Sequence, residues 1–401
     1  RAQGLKVKYV RNITDIDDKI IKRALENQES VQTLTERFID AMHEDEAALN
    51  VLRPDEEPRA TDYIDAIQSM VKTLIEKGHA YAADNGDVYF KVKSFDSYGR
   101  LSGKKQDELE AGARVEVNPH KQDPMDFVLW KASKADEPAW ASPWGEGRPG
   151  WHIECSAMSE QCIGEHLDIH GGGMDLQFPH HENEIAQSEC AHGSHYVNTW
   201  MHVGFVRVND EKMSKSLNNF FTIREVLKAY HPEVIRYFLL SSHYRSPLNY
   251  SEANLQAAKT NLSRLYTALE AAEPGLVTEH TDYETRFNQA MNDDFNTPLA
   301  ISVLFELVKE VNKTQSPGLV TLLQQLAQRL GLLMATPEAF FKQQPLEESG
   351  VSDEAIEALI VERAQARQDK NWARSDEIRD QLLEAGVELL DSAEGTTWRR
   401  K

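Results

Sequence analysis

The sequence predicts an α/β protein that continues into a helical bundle and ends in a small mixed module. Three features predict it. At 166–190, "HLDIH" alternates as a strand does, "GGG" follows, and Pro179 opens a helical stretch. Strand, Gly loop and helix in that order place ligands at the carboxyl ends of strands. Asn85-Gly86, between two alternating runs, marks a hairpin. From Ser251 onward, Leu255, Leu262, Leu265 and Leu269 keep helical spacing.

Composition bounds the rest. A chain of 401 residues implies roughly two to four domains with sizeable cores. Hydrophobic residues at 40% and charged residues at 27% are ordinary for a globular protein, and no apolar run approaches the roughly 18 residues of a membrane span. Cys155, Cys162 and Cys190 are too few for a disulfide framework and point to a reducing, cytoplasmic setting. The formal net charge of −21 confines any nucleic-acid contact to local basic patches.

The opening "RAQGLKVKYVRNITDIDD" reads as a helix end, with Gly4 as its stop, followed by a buried strand "KVKYVRNI"; further residues are expected upstream. Asp15, Asp17 and Asp18 raise the question of a second metal, but acids at a helix N-terminus explain them more simply. Helical stretches run to about Gly78. Residues 79–149 are rich in strand and loop signals, with Trp130, Trp140 and Trp144, and read as an insertion with its own small core. At "GWHIECSAMSEQCIG" a helical pattern returns, and "TWMHVGFVRVN" is the next strand after the Gly loop. The loop "EKMSKSLNN" follows, then Thr222-x-x-Glu225 as a capping box. In the bundle, Thr297-Pro298 starts a helix with Ile301, Leu304, Phe305 and Val308 on one face, and "LVTLLQQLAQRLGLL" supplies another. After the polar break "KQQPLEESGVSD" come a helix from Ser352, a second from about Trp372 to Gly386, and strands "VELL" and "TTWRR". The expected divisions are 1–78 with 150–205, 79–149, 206–250, 251–340 and 350–401.

The chemistry concentrates between Gly171 and Cys190. On a helix, His180 and Glu184 share a face, and with Cys155 they make a zinc shell of thiolate, imidazole and carboxylate. The spacing is not H-E-x-x-H, which disfavours a zinc protease. The competing reading is a solvated ion pair beside a small core cysteine. Gly171, Gly172 and Gly173 let backbone approach a nucleotide, or simply make a tight turn. Asp175 suits ribose hydroxyls, or caps that turn. Lys212 and Lys215 suit transferring phosphates, or belong to a solvated loop.

"GWHIECSAM", "HGGGMDLQFPHHENE" and "KMSKS", in this order, together with "RNITDIDDK", "SPWGEGRPG" and "VIRYFLLSSHYRSPLNYS", closely resemble the cysteinyl-tRNA synthetases of class I. The resemblance covers essentially the whole chain. It implies a Rossmann-like catalytic domain (1–78 and 150–205) carrying the inserted α+β module at 79–149. A KMSKS loop and stem-contact fold (206–250), a helical bundle (251–340) and an anticodon-binding α/β module (350–401) follow. It implies a ligase that activates L-cysteine with ATP and charges tRNA(Cys), as a cytoplasmic monomer that touches no membrane. By resemblance Cys155, His180 and Glu184 bind one Zn2+, which selects cysteine over serine without an editing domain. The family carries a fourth ligand and a HIGH-type motif ahead of the position matched by Arg1. Lys212 and Lys215 hold phosphates, with Lys215, Asp175 and Gly171–Gly173 binding ATP, whose Mg2+ arrives with it. Thr14, Trp151 and His152 line the amino-acid pocket; for Trp151 a core aromatic is the alternative. Arg367, Trp372 and Asp376 read the anticodon, the alternative for Trp372 being a pin between two helices. Cys162 and Cys190 are expected in core packing. Two rivals remain: an ATP-dependent ligase joining cysteine to an amino sugar, and an inactive remnant that binds tRNA or zinc.

Overall fold

The computed structural model describes residues 1–104, 119–135, 137–213, 219–277, 282–343, 351–392 and 395–400, with the Lys212 side chain outside that set. It forms two compact units, Arg1–Glu46 with Leu52–Gly204, and Ala47–Val51 with Phe205–Lys401.

In the first unit, α1 (Asp18–Asn27) starts at Asp17, whose side chain accepts from the Ile20 N–H at 2.7 Å. Asp18, in the first turn, pairs with Lys131 and Arg148. Asp15 accepts from the Thr61 N–H and hydroxyl at 3.0 and 2.6 Å. Asp17 and Asp18 therefore stand at a helix N-terminus, as the simpler reading expects, whereas Asp15 staples the chain to Thr61. After α2 (Val31–Ala48), α3 (Ile64–Glu76) buries Ile64, Ile67, Met70, Val71 and Leu74, a helical stripe. The Asn85-Gly86 hairpin forms between β1 (Ala80–Ala82) and β2 (Val88–Phe90), with Gly86 at φ +86° as its turn requires. β3 (Phe127–Ala132) and β4 (Gly147–Pro149) complete an antiparallel sheet in the order β1-β2-β3-β4.

Two expectations fail here. The insertion has no core of its own among the described residues. Val88, Phe90, Leu129 and Trp130 pack in one cluster with α3, with Ile153 and Ala157 of α4 (Trp151–Cys162), and with Ala186 of α5 (Glu182–His192). A four-stranded sheet of such short strands encloses too little apolar surface alone and uses the helices as its second layer. The segment "KVKYVRNI" is no buried strand either. Leu5, Val7 and Tyr9 are exposed, and only two isolated parallel bridges form, Val10 to Glu56 and Ile13 to Arg59. A parallel strand buried on both faces needs a ladder at each edge, and among the described residues this segment has neither.

β5 (Leu167–Gly173) and β6 (Val197–Val203) pair in parallel, joined through a wide turn (Gln177–His181) and α5. The glycines correct the expected Gly loop: all three lie inside β5, opposite Met201, His202 and Val203. α5 begins at Glu182, so Pro179 falls in the turn before it.

In the second unit the expected strand "TWMHVGFVRVN" resumes, after a break at Gly204-Phe205, as β7 (Val206–Val208). β7 pairs antiparallel with β8 (Glu211–Lys212) and parallel with β9 (Leu248–Tyr250). At α6 (Ile223–Leu227) the Glu225 carboxylate accepts from the Thr222 N–H and hydroxyl, as the capping box predicts. α7 (Pro232–Leu240), α8 (Glu252–Leu269), α9 (Asp282–Asn292), α10 (Thr297–Thr314), α11 (Pro317–Arg329) and α12 (Pro337–Lys342) share one core, including Leu255, Leu262, Leu265, Ile301, Leu304 and Val308. The last module is α13 (Asp353–Gln368), α14 (Trp372–Glu384) and a hairpin of β10 (Val387–Ser392) with β11 (Gly395–Arg400).

His231 caps α7 by accepting from the Glu233 N–H at 3.1 Å, and its ring edges against Phe340. Burial lowers its pKa to about 4. The unfolded chain protonates this ring near 6.5, so its contribution is present above that pH and lost as pH falls towards 4, on the order of 3 kcal/mol in all. His231→Asn keeps a capping acceptor but cannot titrate. Urea midpoints of the wild type should fall more steeply than those of this variant between pH 6.5 and 4; parallel curves would refute the assignment.

Candidate metal centre

α4 begins against β3 because Gly150 permits it: a Cβ there would sit 2.4 Å from the Val128 carbonyl oxygen. The helix presents Trp151, His152 and Cys155 across from the turn and first residues of α5, which carry His180, His181 and Glu184. Cys155, distant in sequence, and His180 and Glu184, four residues apart, bring one ligand atom each to within 4.8 Å of one another. His180 Nε2 lies 3.1 Å from Glu184 Oε1. That oxygen is buried, and beyond this ion-pair contact it has no hydrogen-bond partner among the described residues. The Asn12 amide donates to Cys155 Sγ at 3.4 Å.

Burial pushes the Cys155 thiol well above its usual value, and the Glu184 and Glu154 carboxylates push it the same way. Burial also works against charge on Glu184, but His170 and His180 together hold its carboxyl well below the usual range. A thiol that stays protonated beside an ionised carboxylate and an imidazole is a site that a soft divalent cation completes, by supplying the charge that makes the thiolate. Thiolate, imidazole and carboxylate suit zinc. The donor set fits that ion, and the His180–Glu184 pair is buried rather than solvated: Glu184 is fully buried and His180 nearly so.

Residues absent from the sequence reading support this centre. His170 Nε2 lies 2.8 Å from Glu184 Oε2, and the Tyr196 hydroxyl donates to the same oxygen at 3.2 Å while bonding Ser159 Oγ at 2.9 Å. Glu184 is thereby held with Oε1 turned to the ligand set. His170 stood in plain view beside the glycines; nothing local marked Tyr196.

The other predicted residues fall as follows. Trp151 is no core aromatic: it is 47% exposed, and its ring lies 4.4 Å from that of His180. His152 is close behind, its Nδ1 at 2.8 Å from His180 Nδ1, and burial lowers its pKa to about 3, so it is neutral. Thr14 is half-buried, with its hydroxyl beside the buried Glu154 carboxyl. The glycines serve close packing: a Cβ on Gly172 would sit 2.9 Å from His181 Cε1, and one on Gly173 would sit 2.6 Å from Asp175 Oδ1. Lys212 ends β8 in the second unit; its side chain and all of Lys215 lie outside the described residues. Cys190 packs in the sheet-and-helix core, and Cys162 is buried with its Sγ 3.3 Å from the Tyr63 hydroxyl.

At the C-terminal module, Arg367 pairs with Asp391 at 3.2 Å and Asp376 with Arg379 at 3.2 Å. Trp372 does not pin the helices. It is 60% exposed, and the core is Ile356, Ile360, Ile378, Leu382, Val387 and Trp398, the last with its indole N–H on Glu357.

Comparison with known proteins matches this architecture. Residues 1–260 match the family described as tRNA synthetases class I (C) catalytic domain, 286–335 a DALR domain, and 351–399 the cysteinyl-tRNA ligase anticodon binding domain. The chain is 69% identical over 405 residues to a cysteine–tRNA ligase of Hydrogenovibrio crunogenus, covering all of the chain and 88% of that protein. It is 62% identical to one of Methylococcus capsulatus, again over all of the chain and 88% of that protein. In fold it is similar to the methionyl-tRNA synthetase of Mycobacterium tuberculosis in complex with methionyl-adenylate, with a TM-score of 0.57, 14% identity and 82% of each chain covered. The architecture, and identities of 62–69% over the whole chain, lead to one assignment: the chain belongs to the cysteine–tRNA ligases, aminoacyl-tRNA synthetases of class I.

Proposed function

We propose that this chain activates L-cysteine with ATP and passes the cysteinyl group to the terminal ribose of tRNA(Cys). The observation that carries the reading is the convergence of Cys155, His180 and Glu184 in one buried cluster. No enzyme nucleophile is needed. The carboxylate of cysteine attacks the α-phosphorus of ATP, the bond to the β-phosphate oxygen breaks, and pyrophosphate leaves; catalysis is positioning and charge stabilisation. Cys155, His180 and Glu184 would hold zinc, which when bound favours a thiolate over a hydroxyl as ligand and so separates cysteine from serine. His170 and Tyr196 fix Glu184 for that task. Trp151 walls the amino-acid pocket beside His180, and neutral His152 sits behind the same ring without adding charge. Thr14 serves the same pocket. Asp175 and the Gly171–Gly173 strand end take the adenosine, with magnesium accompanying the phosphates, and Lys212 and Lys215 draw charge towards pyrophosphate.

The C-terminal module takes the anticodon. Exposed Trp372 offers a stacking face, with Arg367 and Asp376 as edge readers. Trp372→Ala is expected to leave the thermal midpoint unchanged and to weaken tRNA binding by about 1–3 kcal/mol. A lowered midpoint with unaltered binding would return Trp372 to a structural role. This module also argues against the amino-sugar ligase, which has no anticodon to read.

Cysteine-dependent ATP–pyrophosphate exchange followed by tRNA charging tests the whole reading. Both activities with cysteine, and neither with serine, are expected. Exchange without charging favours the amino-sugar ligase, and absence of both favours the remnant.

A further inference from the structure

Glu184 faces two donor sets. Oε1 looks to Cys155 and His180. Oε2 lies 2.8 Å from His170 Nε2, and His170, His181 and Glu184 bring one ligand atom each to within 4.8 Å of one another. The His170 and His181 rings are 4.8 Å apart. His181 Nδ1 lies 2.9 Å from His202 Nε2, the kind of outer partner that fixes a tautomer and turns the opposite ring nitrogen towards a metal. A single carboxylate between a Cys/His set and a His/His set has the form of a bridging ligand, as in paired-cation sites.

We propose that His170, His181 and Glu184 form a second, weaker site for a zinc-class divalent cation, bridged by Glu184 to the first. It rests on the reading of Cys155, His180 and Glu184 as the primary zinc site. Two imidazoles and one carboxylate oxygen leave a fourth position for water. Binding displaces to solvent the one proton shared by His170 Nε2 and Glu184 Oε2, and two coordinate bonds replace that hydrogen bond. The site is the weaker of the two because it lacks a thiolate and shares its carboxylate. Its place gives it a consequence. His170 immediately precedes Gly171 in β5, and the His181 ring packs on Gly172. A cation there occupies the ground proposed for ATP, so zinc beyond one equivalent inhibits amino-acid activation.

Cobalt titration of the metal-stripped full chain tests this. Two equivalents are expected: the first with a thiolate-to-metal charge-transfer band, the second with ligand-field absorption alone. His170→Gln, which keeps a donor for Oε2, and His181→Gln should each lose the second equivalent and retain the first. In His181→Gln, inhibition of exchange by excess zinc should need about 10–100-fold more metal. One band-bearing equivalent in the wild type, or a second equivalent that persists in both variants, overturns the proposal. No equivalent with a charge-transfer band would instead overturn the primary site, an outcome distinct from failure of the second.

Discussion

Cys155→Ala is expected to cost the protein both its zinc and its preference for cysteine. Structural zinc sites hold their ion by apparent energies of about 10–16 kcal/mol over four ligands, so losing one is worth roughly 3–4 kcal/mol, a several-hundred-fold weakening. Activation of cysteine should fall at least in proportion. Discrimination against serine should collapse to the ~100-fold or less that a pocket of plain shape and polarity achieves against an isostere. Circular dichroism should barely change, because the deletion removes one small side chain that is not a member of the apolar cluster built by α3, α4 and the β1–β4 sheet. Glu184→Gln should resemble Cys155→Ala in metal content although it preserves volume, since an amide cannot supply the charge that a cation needs. Retention of full zinc content with cysteine selectivity in either variant would remove the basis of the proposed chemistry.

The second large effect is on stability and lies in the other unit. Glu233, on α7, is 2% exposed. Its carboxylate accepts from the Tyr266 hydroxyl at 2.9 Å and from the Leu333 and Met334 N–H groups at 2.7 and 3.0 Å. Burial raises its pKa, and these donors pull it back down. One side chain thus ties α7 to α8 and to the loop after α11, at the centre of the bundle. Glu233→Ala leaves two buried donors, the Tyr266 hydroxyl and the Leu333 N–H, and the part-buried Met334 N–H without this acceptor, and opens a cavity. The expected loss is about 3–5 kcal/mol, seen as a marked fall in the urea midpoint. Metal content should not change. A loss below 1 kcal/mol, a threshold of order one net hydrogen bond (~1 kcal/mol), would mean that water replaces the carboxylate and that the bundle does not depend on it.

Much of this was legible in the sequence because it is local. Periodicity and caps set the helices: Asp17, Thr222 with Glu225, Thr297 with Pro298 and Ser352 each stand at or beside the start of one. The hairpin at Asn85-Gly86 and the closing helix–helix–hairpin module follow from turn chemistry. The candidate metal set was legible because His180 and Glu184 stand four apart in sequence, close enough to meet even though His180 lies in the turn before α5, and Cys155 is the thiol in the nearest quoted motif. What was not legible depends on partners distant in sequence. Gly171–Gly173 read as a loop, but pairing with β6 makes them strand. Residues 79–149 read as self-sufficient, but their sheet needs α3, α4 and α5. "KVKYVRNI" has the alternation of a strand, yet alternation does not supply neighbours. Tyr196 reaches Glu184 only because β6 lies beside β5, and no motif signals that.

X-ray absorption at the zinc edge, on the intact zinc-loaded chain with and without amino acid, tests the central idea most directly. The number of sulfur atoms around zinc should rise by one when cysteine is added and stay unchanged with serine. An unchanged sulfur shell in the presence of cysteine would contradict it.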